Sequence, residues 1–228
     1  MFTGGISLKG SYHKINQDSY GFSKLKNGFV AVLADGLGSK SNSHYGSQAL
    51  CRSVIEISVE LQEDLVGINL LNYIDKIYQR WKTYVEPYEI TECYTTMLLF
   101  VLYETRVFAI RLGDGFVGIY SDNQVKVLFD RKQDYFLNET DCFSEILVTD
   151  KFEIYEAIIN DFSGGLLCSD GISIGDMQEK TLIEFTKDFV ENYYKRNKED
   201  ISTDIFSWLG DWPGSDDKTL VYFLAEGK

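Results

Sequence analysis

Proline is nearly absent: Pro87 and Pro213 are the two in 228 residues. No low-complexity tract or repeat stands out either, so no linker divides the chain, and residues 1–228 are expected to form one domain. No apolar stretch reaches the roughly 18 residues that suggest a bilayer span, so no membrane association is expected. The opening MFTGGISLKG lacks the basic flank and apolar centre of a secretory signal, which makes the cytoplasm the expected location. Four cysteines at 51, 93, 142 and 168 form no CxxC pair, and two histidines are too few for a typical zinc hydrolase. Reduced structural thiols are the expectation. Basic charge is scarce as well: 22 Lys and Arg stand against 35 Asp and Glu, a net charge of −13. The longest basic cluster, KRNK at 195–198, is too small to hold a phosphate backbone, so nucleic acid is not an expected partner.

What is present is a series of short apolar runs. GGISLKG, GFVAVLAD, TTMLLFVLYE, RVFAIRLGD, FVGIYSD, QVKVLF, GGLLCSDG and KTLVYFLAE have strand lengths. Apolar residues recur three and four apart in SQALCRSVIEISVELQ, NLLNYIDKIYQRWKTYV and MQEKTLIEFTKDFVENYYKR, which read as helices, the second ending near Pro87. The tight connections YETRV and YSDNQV predict antiparallel hairpins. Strands and helices are segregated rather than alternating, so the fold class is α+β, layered, with antiparallel sheets.

The chemistry sits where these strands end. VAVLADG delivers Asp35, FAIRLGDG delivers Asp114, and GGLLCSDG delivers Asp170. GSDDKTLVYFL places Asp216 and Asp217 just before a strand, and NQDSYGF places Asp18 before an aromatic, strand-like segment. Any one of these is an ordinary turn. The set is not, because aspartates at the ends of buried strands are costly unless paired or metal-bound, and few lysines or arginines lie beside them. A divalent cation removes the repulsion among converging carboxylates. Oxygen donors of this kind suit Mg²⁺ or Mn²⁺, with Ca²⁺ the other oxygen-seeking option.

The ordered set NQDSY, VLADGLGS, TTMLLF, RLGDG, LLCSDGIS and SDDKTLVYF, spanning residues 16–223, resembles the type 2C, metal-dependent protein serine/threonine phosphatases. The resemblance implies a four-layer αββα sandwich: two central antiparallel β-sheets flanked by antiparallel helix pairs. It implies a cleft at one end of the sandwich holding two Mn²⁺ or Mg²⁺ ions, with a third, weaker one in bacterial members. Asp35 then resembles the carboxylate bridging both metals, and Gly36 the residue whose carbonyl completes one shell. Asp18 resembles the early acidic residue of the site, Asp170 and Asp216 resemble ligands of the other metal, and Asp114 a ligand of the third. The implied reaction is direct attack of a metal-bridged hydroxide on phosphoserine or phosphothreonine. The implied partners are phosphorylated proteins, with a cognate serine/threonine kinase or its targets.

Two departures stand out. The family usually places Arg five residues before the NQD aspartate; here that residue is His13, with Lys14 beside it. His13 is either a catalytic group, donating to phosphate or to the leaving oxygen, or a surface histidine in a loop. The usual Asp-Asn-any-Thr reads Asp216-Asp217-Lys218-Thr219, which makes Asp216 the expected ligand and Asp217 the second choice. The stretch from about 120 to 165, with DYFLNETDCF, corresponds to the family's flap, and no ligand is assigned in it. These changes look like a divergent bacterial branch. Thr95 and Thr96 are expected to support the sheet beneath the site, and Trp208 and Trp212 either wall the cleft or pack their loop. Beside the phosphatase stand two rivals: a pseudophosphatase acting as a regulatory binding module, and a metallohydrolase of small phosphate esters.

Overall fold

The computed structural model describes residues 1–130, 140–175, 177–194, 196 and 198–226. Among them run strands β1 (Phe2–Leu8), β2 (Asp18–Leu25) and β3 (Gly28–Asp35), then helices α1 (Ser43–Glu60) and α2 (Leu70–Val85). Strands β4 (Met97–Tyr103), β5 (Arg106–Leu112), β6 (Phe116–Ser121), β7 (Gln124–Phe129), β8 (Glu153–Ile158) and β9 (Phe162–Cys168) follow. Helices α3 (Glu179–Tyr193) and α4 (Lys198–Gly210) precede strand β10 (Lys218–Leu224).

The strands form two five-stranded sheets, ordered β1-β10-β9-β6-β7 and β2-β3-β4-β5-β8, with every pairing antiparallel. Three apolar layers hold them. Between the sheets, Phe29, Phe100, Phe162 and Phe223 pack together, with the Phe100 and Phe223 rings stacked at 4.2 Å. The outer face of the β2–β5 sheet is covered by α1 and α2 through Leu50, Val54, Ile74 and Trp81. The outer face of the other sheet is covered by α3 and α4 through Leu182, Phe189, Ile205 and Leu209. The result is the expected four-layer αββα sandwich. Central strands are buried on both faces, which is why MLLFVLY and KTLVYFL read as continuous apolar runs.

Both hairpins are present, and the β6–β7 turn places Asp122 and Asn123 at φ 48° and 60°, the left-handed pair that matches strand twist in a two-residue turn. Helix α2 stops at Val85, before the backbone restriction that Pro87 imposes. Three elements add to the sequence reading. The strand-like segment of NQDSYGF forms β2 from Asp18 itself through to Leu25. β8 is an edge strand whose exposed positions are Ile154, Glu156 and Ile158, a polar-apolar mix with no buried run. Helix α4 lies in KEDISTDIFSWLG, where charge obscures the apolar stripe. The four cysteines are free, and Cys51, Cys93 and Cys168 are buried.

Candidate metal centre

Antiparallel register brings the carboxylates to one end of the sandwich. β3 ends at Asp35, opposite Asp18 at the start of β2. β9 ends at Cys168, opposite Phe116 at the start of β6 and Leu220 near the start of β10. Asp170 therefore follows β9, Asp216 and Asp217 precede β10, and Asp114 sits in the β5–β6 turn, all at the same edge.

Their electrostatics show which groups face one another. Burial pushes the Asp35 carboxyl well above the usual carboxylate range, and the charges of Asp18 and Asp170 push it further. Burial likewise raises Asp18 to about 7, against the hydrogen bonds it accepts. Asp170 is raised by burial, with Asp216 and Asp114 as its charged neighbours. Five carboxylates, Asp18, Asp35, Asp114, Asp170 and Asp216, thus form one chain of mutual repulsion. Asp18 is held through Oδ2, which accepts from Ser169 Oγ at 2.9 Å, while Oδ1 is buried without a partner. Asp114 accepts from Thr140 Oγ1 at 2.5 Å.

The scaffold fixes Asp35 through its backbone. Thr96 Oγ1 accepts from the Asp35 N–H at 3.0 Å, and the Asp35 carbonyl accepts from the Thr96 N–H and Thr95 Oγ1, each at 2.8 Å. These are the supporting threonines of the TTMLLF stretch. Thr96→Val keeps the shape but strands the Asp35 N–H in a buried site. It is expected to cost about 1–3 kcal/mol, read as a lower urea midpoint; an unchanged midpoint would show that this bond contributes nothing. Gly36 donates its N–H to the Gln17 carbonyl, and a Cβ there would lie 2.7 Å from the Ser43 carbonyl group at the start of α1. No side chain fits, so backbone alone faces the cluster.

His13 lies beside this chain of acids. Its Nδ1 is 3.4 Å from Asp216 Oδ1 and from Asp217 Oδ2, and its side chain is 14% exposed, so it is not a free surface histidine. Asp216 is half exposed and Asp217 is buried. Asp217 is engaged elsewhere: Oδ1 accepts from Gly10 N–H and Oδ2 from Gln17 N–H, each at 2.7 Å. Trp208 donates to Tyr193 Oη at 3.0 Å and Trp212 packs on Phe185, so both tryptophans serve the helix layer rather than the cleft. Of DYFLNETDCF, residues 134–139 lie outside the described residues. Sequence reasoning missed Ser169 and the loop-binding role of Asp217. Ser169 stood inside the SDG motif, and its hydroxyl was the available signal.

This sandwich, with acids gathered at one end, defines the class. Residues 11–210 match the family described as Protein phosphatase 2C, and the chain belongs to that family. Among solved structures it is similar to a bacterial serine phosphatase, at 17% identity and a TM-score of 0.73, covering 100% of this chain and 99% of that one. It is also similar to the serine/threonine phosphatase Stp1 from Staphylococcus aureus, at 17% identity, TM-score 0.67, and 99% and 95% coverage. The catalytic domain of the serine threonine protein phosphatase PstP, solved in complex with 2 manganese ions, matches at 19% identity, TM-score 0.63, and 97% and 96% coverage. At these identities the likeness establishes the fold. No curated protein matches in sequence.

Proposed function

We propose that this chain is a metal-dependent protein serine/threonine phosphatase. The observation that carries the reading is the chain of converging carboxylates, with Asp18 buried and its Oδ1 unpartnered, a donor set that is repulsive alone and fits hard divalent cations. Asp35, Asp170 and Asp216 would hold one ion. Asp35, the Gly36 carbonyl and the Asp18 side of the cluster would hold a second, and Asp114 a third. Bound Mn²⁺ or Mg²⁺ supplies positive charge for the phosphoryl oxygens and lowers the pKa of a water. The chain's own residues do the rest. Thr95 and Thr96 fix the backbone that aims Asp35, Ser169 orients Asp18, and the loop through His13 borders the place where a phosphate monoester would enter. His13 stands in the family's phosphate-binding position and is proposed to contact the substrate.

The test is phosphate release from a phosphothreonine peptide and from a small chromogenic phosphate ester, with Mn²⁺, with Mg²⁺ and with chelator. Chelation is expected to lower peptide hydrolysis by about 10²-fold or more, reversed by adding either ion. Preference for the small ester would move the reading to a small-molecule metallohydrolase. Release that survives chelation would overturn it.

A further inference from the structure

The two positions where this chain departs from its family's motifs touch each other. His13 stands for the usual Arg and Asp217 for the usual Asn, and His13 Nδ1 lies 3.4 Å from Asp217 Oδ2. We propose that Asp217 is a positioning residue that acts through His13, so that positions 13 and 217 work only as a matched pair: His with Asp here, Arg with Asn in the family's pattern.

The donor and acceptor inventory carries the argument. Asp217 already accepts one loop amide on each oxygen, Gly10 on Oδ1 and Gln17 on Oδ2, which closes the loop over residues 10–17. A carboxylate oxygen has a second lone pair, and His13 Nδ1 faces Oδ2 of the buried Asp217, with Oδ1 of the half-exposed Asp216 equally distant at 3.4 Å. Taking the Nδ1–H sets the ring's tautomer and direction, as carboxylates commonly do for functional imidazoles. The opposite end, Nε2, is buried with no partner and lies 3.0 Å from where a Cβ on Gly38 would be. The ring therefore packs against the glycine turn that follows Asp35, and Nε2 donates to a phosphate oxygen only when it carries a second proton.

Each mixed pair is mismatched. Asn at 217 offers one acceptor oxygen for two loop amides and presents its NH₂ where the other amide or Nδ1–H points, donor against donor. Arg at 13 beside Asp217 and Asp216 would fork onto those carboxylates, withdrawing from the phosphate and drawing Asp216 away from the cluster. Arg with Asn removes the carboxylate at 217 and the clash with Nδ1–H, while Asn stays one acceptor short of the two loop amides, as in D217N alone.

The catalytic consequence rests on the phosphatase reading; the ring orientation does not. Four full-length proteins decide it: wild type, H13R, D217N and H13R/D217N, each assayed with Mn²⁺ on the phosphothreonine peptide. Each single substitution is expected to lower kcat/KM by about 10–100-fold, and the double variant to lose less than the product of the two single losses. A double variant at the product of the two single losses overturns the pairing. A second readout needs no activity. The chain has two histidines, so a long-range nitrogen–proton spectrum of the metal-free protein at pH 9 shows two imidazoles, assigned with H44Q. His13 is expected as the Nδ1–H tautomer in wild type and to move toward Nε2–H in D217N, because the half-exposed Asp216 does not replace the buried acceptor. An Nε2–H ring in wild type, or one unchanged in D217N, overturns the proposal. If no protein releases phosphate, the phosphatase reading fails and the spectra alone judge the pair. If D217N does not fold, the wild-type tautomer decides.

Discussion

Asp35→Asn is expected to lower metal-dependent phosphate release by about 10³-fold or more, the scale on which loss of preorganised charge at a reacting centre is felt. Asp35 is the carboxylate that faces both Asp18 and Asp170, the place a carboxylate shared by two ions would need. The amide keeps the side chain's volume and its backbone bonds to Thr95 and Thr96, so the loss would be chemical rather than structural. Assays of wild type and variant side by side on the phosphothreonine peptide, with Mn²⁺ and with Mg²⁺, give the ratio. A variant retaining a tenth of wild-type release would remove Asp35 from the centre. Should wild type itself release nothing while still binding Mn²⁺ by calorimetry, the regulatory pseudophosphatase becomes the better reading, with His13 in place of Arg as its rationale.

Asp18→Asn is expected to do the opposite to stability. In the metal-free protein burial raises the Asp18 carboxyl to about 7, whereas an unfolded aspartate titrates near 3.9. Between those values the folded state holds more protons than the unfolded state, so stability falls as pH rises, and the full cost is present above both. A shift of this size corresponds to a few kcal/mol. The substituted amide carries no charge and can donate its NH₂ toward Asp35, turning repulsion into a hydrogen bond. With chelator at pH 8 the variant's melting temperature is expected to exceed wild type by about 5–10 °C, at roughly 2–4 °C per kcal/mol. The stability slope between about pH 4 and 7 should flatten. Added Mn²⁺ should narrow the gap, since it stabilises the state that binds it. A variant that melts below wild type under chelation would mean that the carboxylate is not a buried burden.

The strands that deliver the acids were legible because burial on both faces leaves an unbroken apolar signal, and VAVLADG ends that signal on Asp35. Edge strand β8 was not legible, since one open face lets Glu153 and Glu156 interrupt the run. The order of the acid-bearing motifs, read through the family resemblance, anticipated the convergence of Asp18, Asp35, Asp114, Asp170 and Asp216. What each acid touches was beyond the sequence. Nothing near residue 13 announces that its ring nitrogen will meet Asp217, because that contact spans 204 positions and depends on β1 lying beside β10. The hydroxyl of Thr140 was equally silent, since a threonine near a turn is common and only the folded chain aims it at a carboxylate; Ser169 differed in standing inside the SDG motif.

The pairing of β1 with β10 has a consequence for biosynthesis. Phe2 lies opposite Leu224, and among the described residues β1 has no other strand neighbour in its sheet. A chain emerging from the ribosome can assemble β2 to β5 with α1 and α2 early, because those partners are close in sequence. The first strand must wait for the last one, and such distant closure is slow. Asp18 and Asp35 are thus in place well before Asp216 arrives. Until then the nascent chain carries Asp18 and Asp35 without Asp216, and the cluster is incomplete.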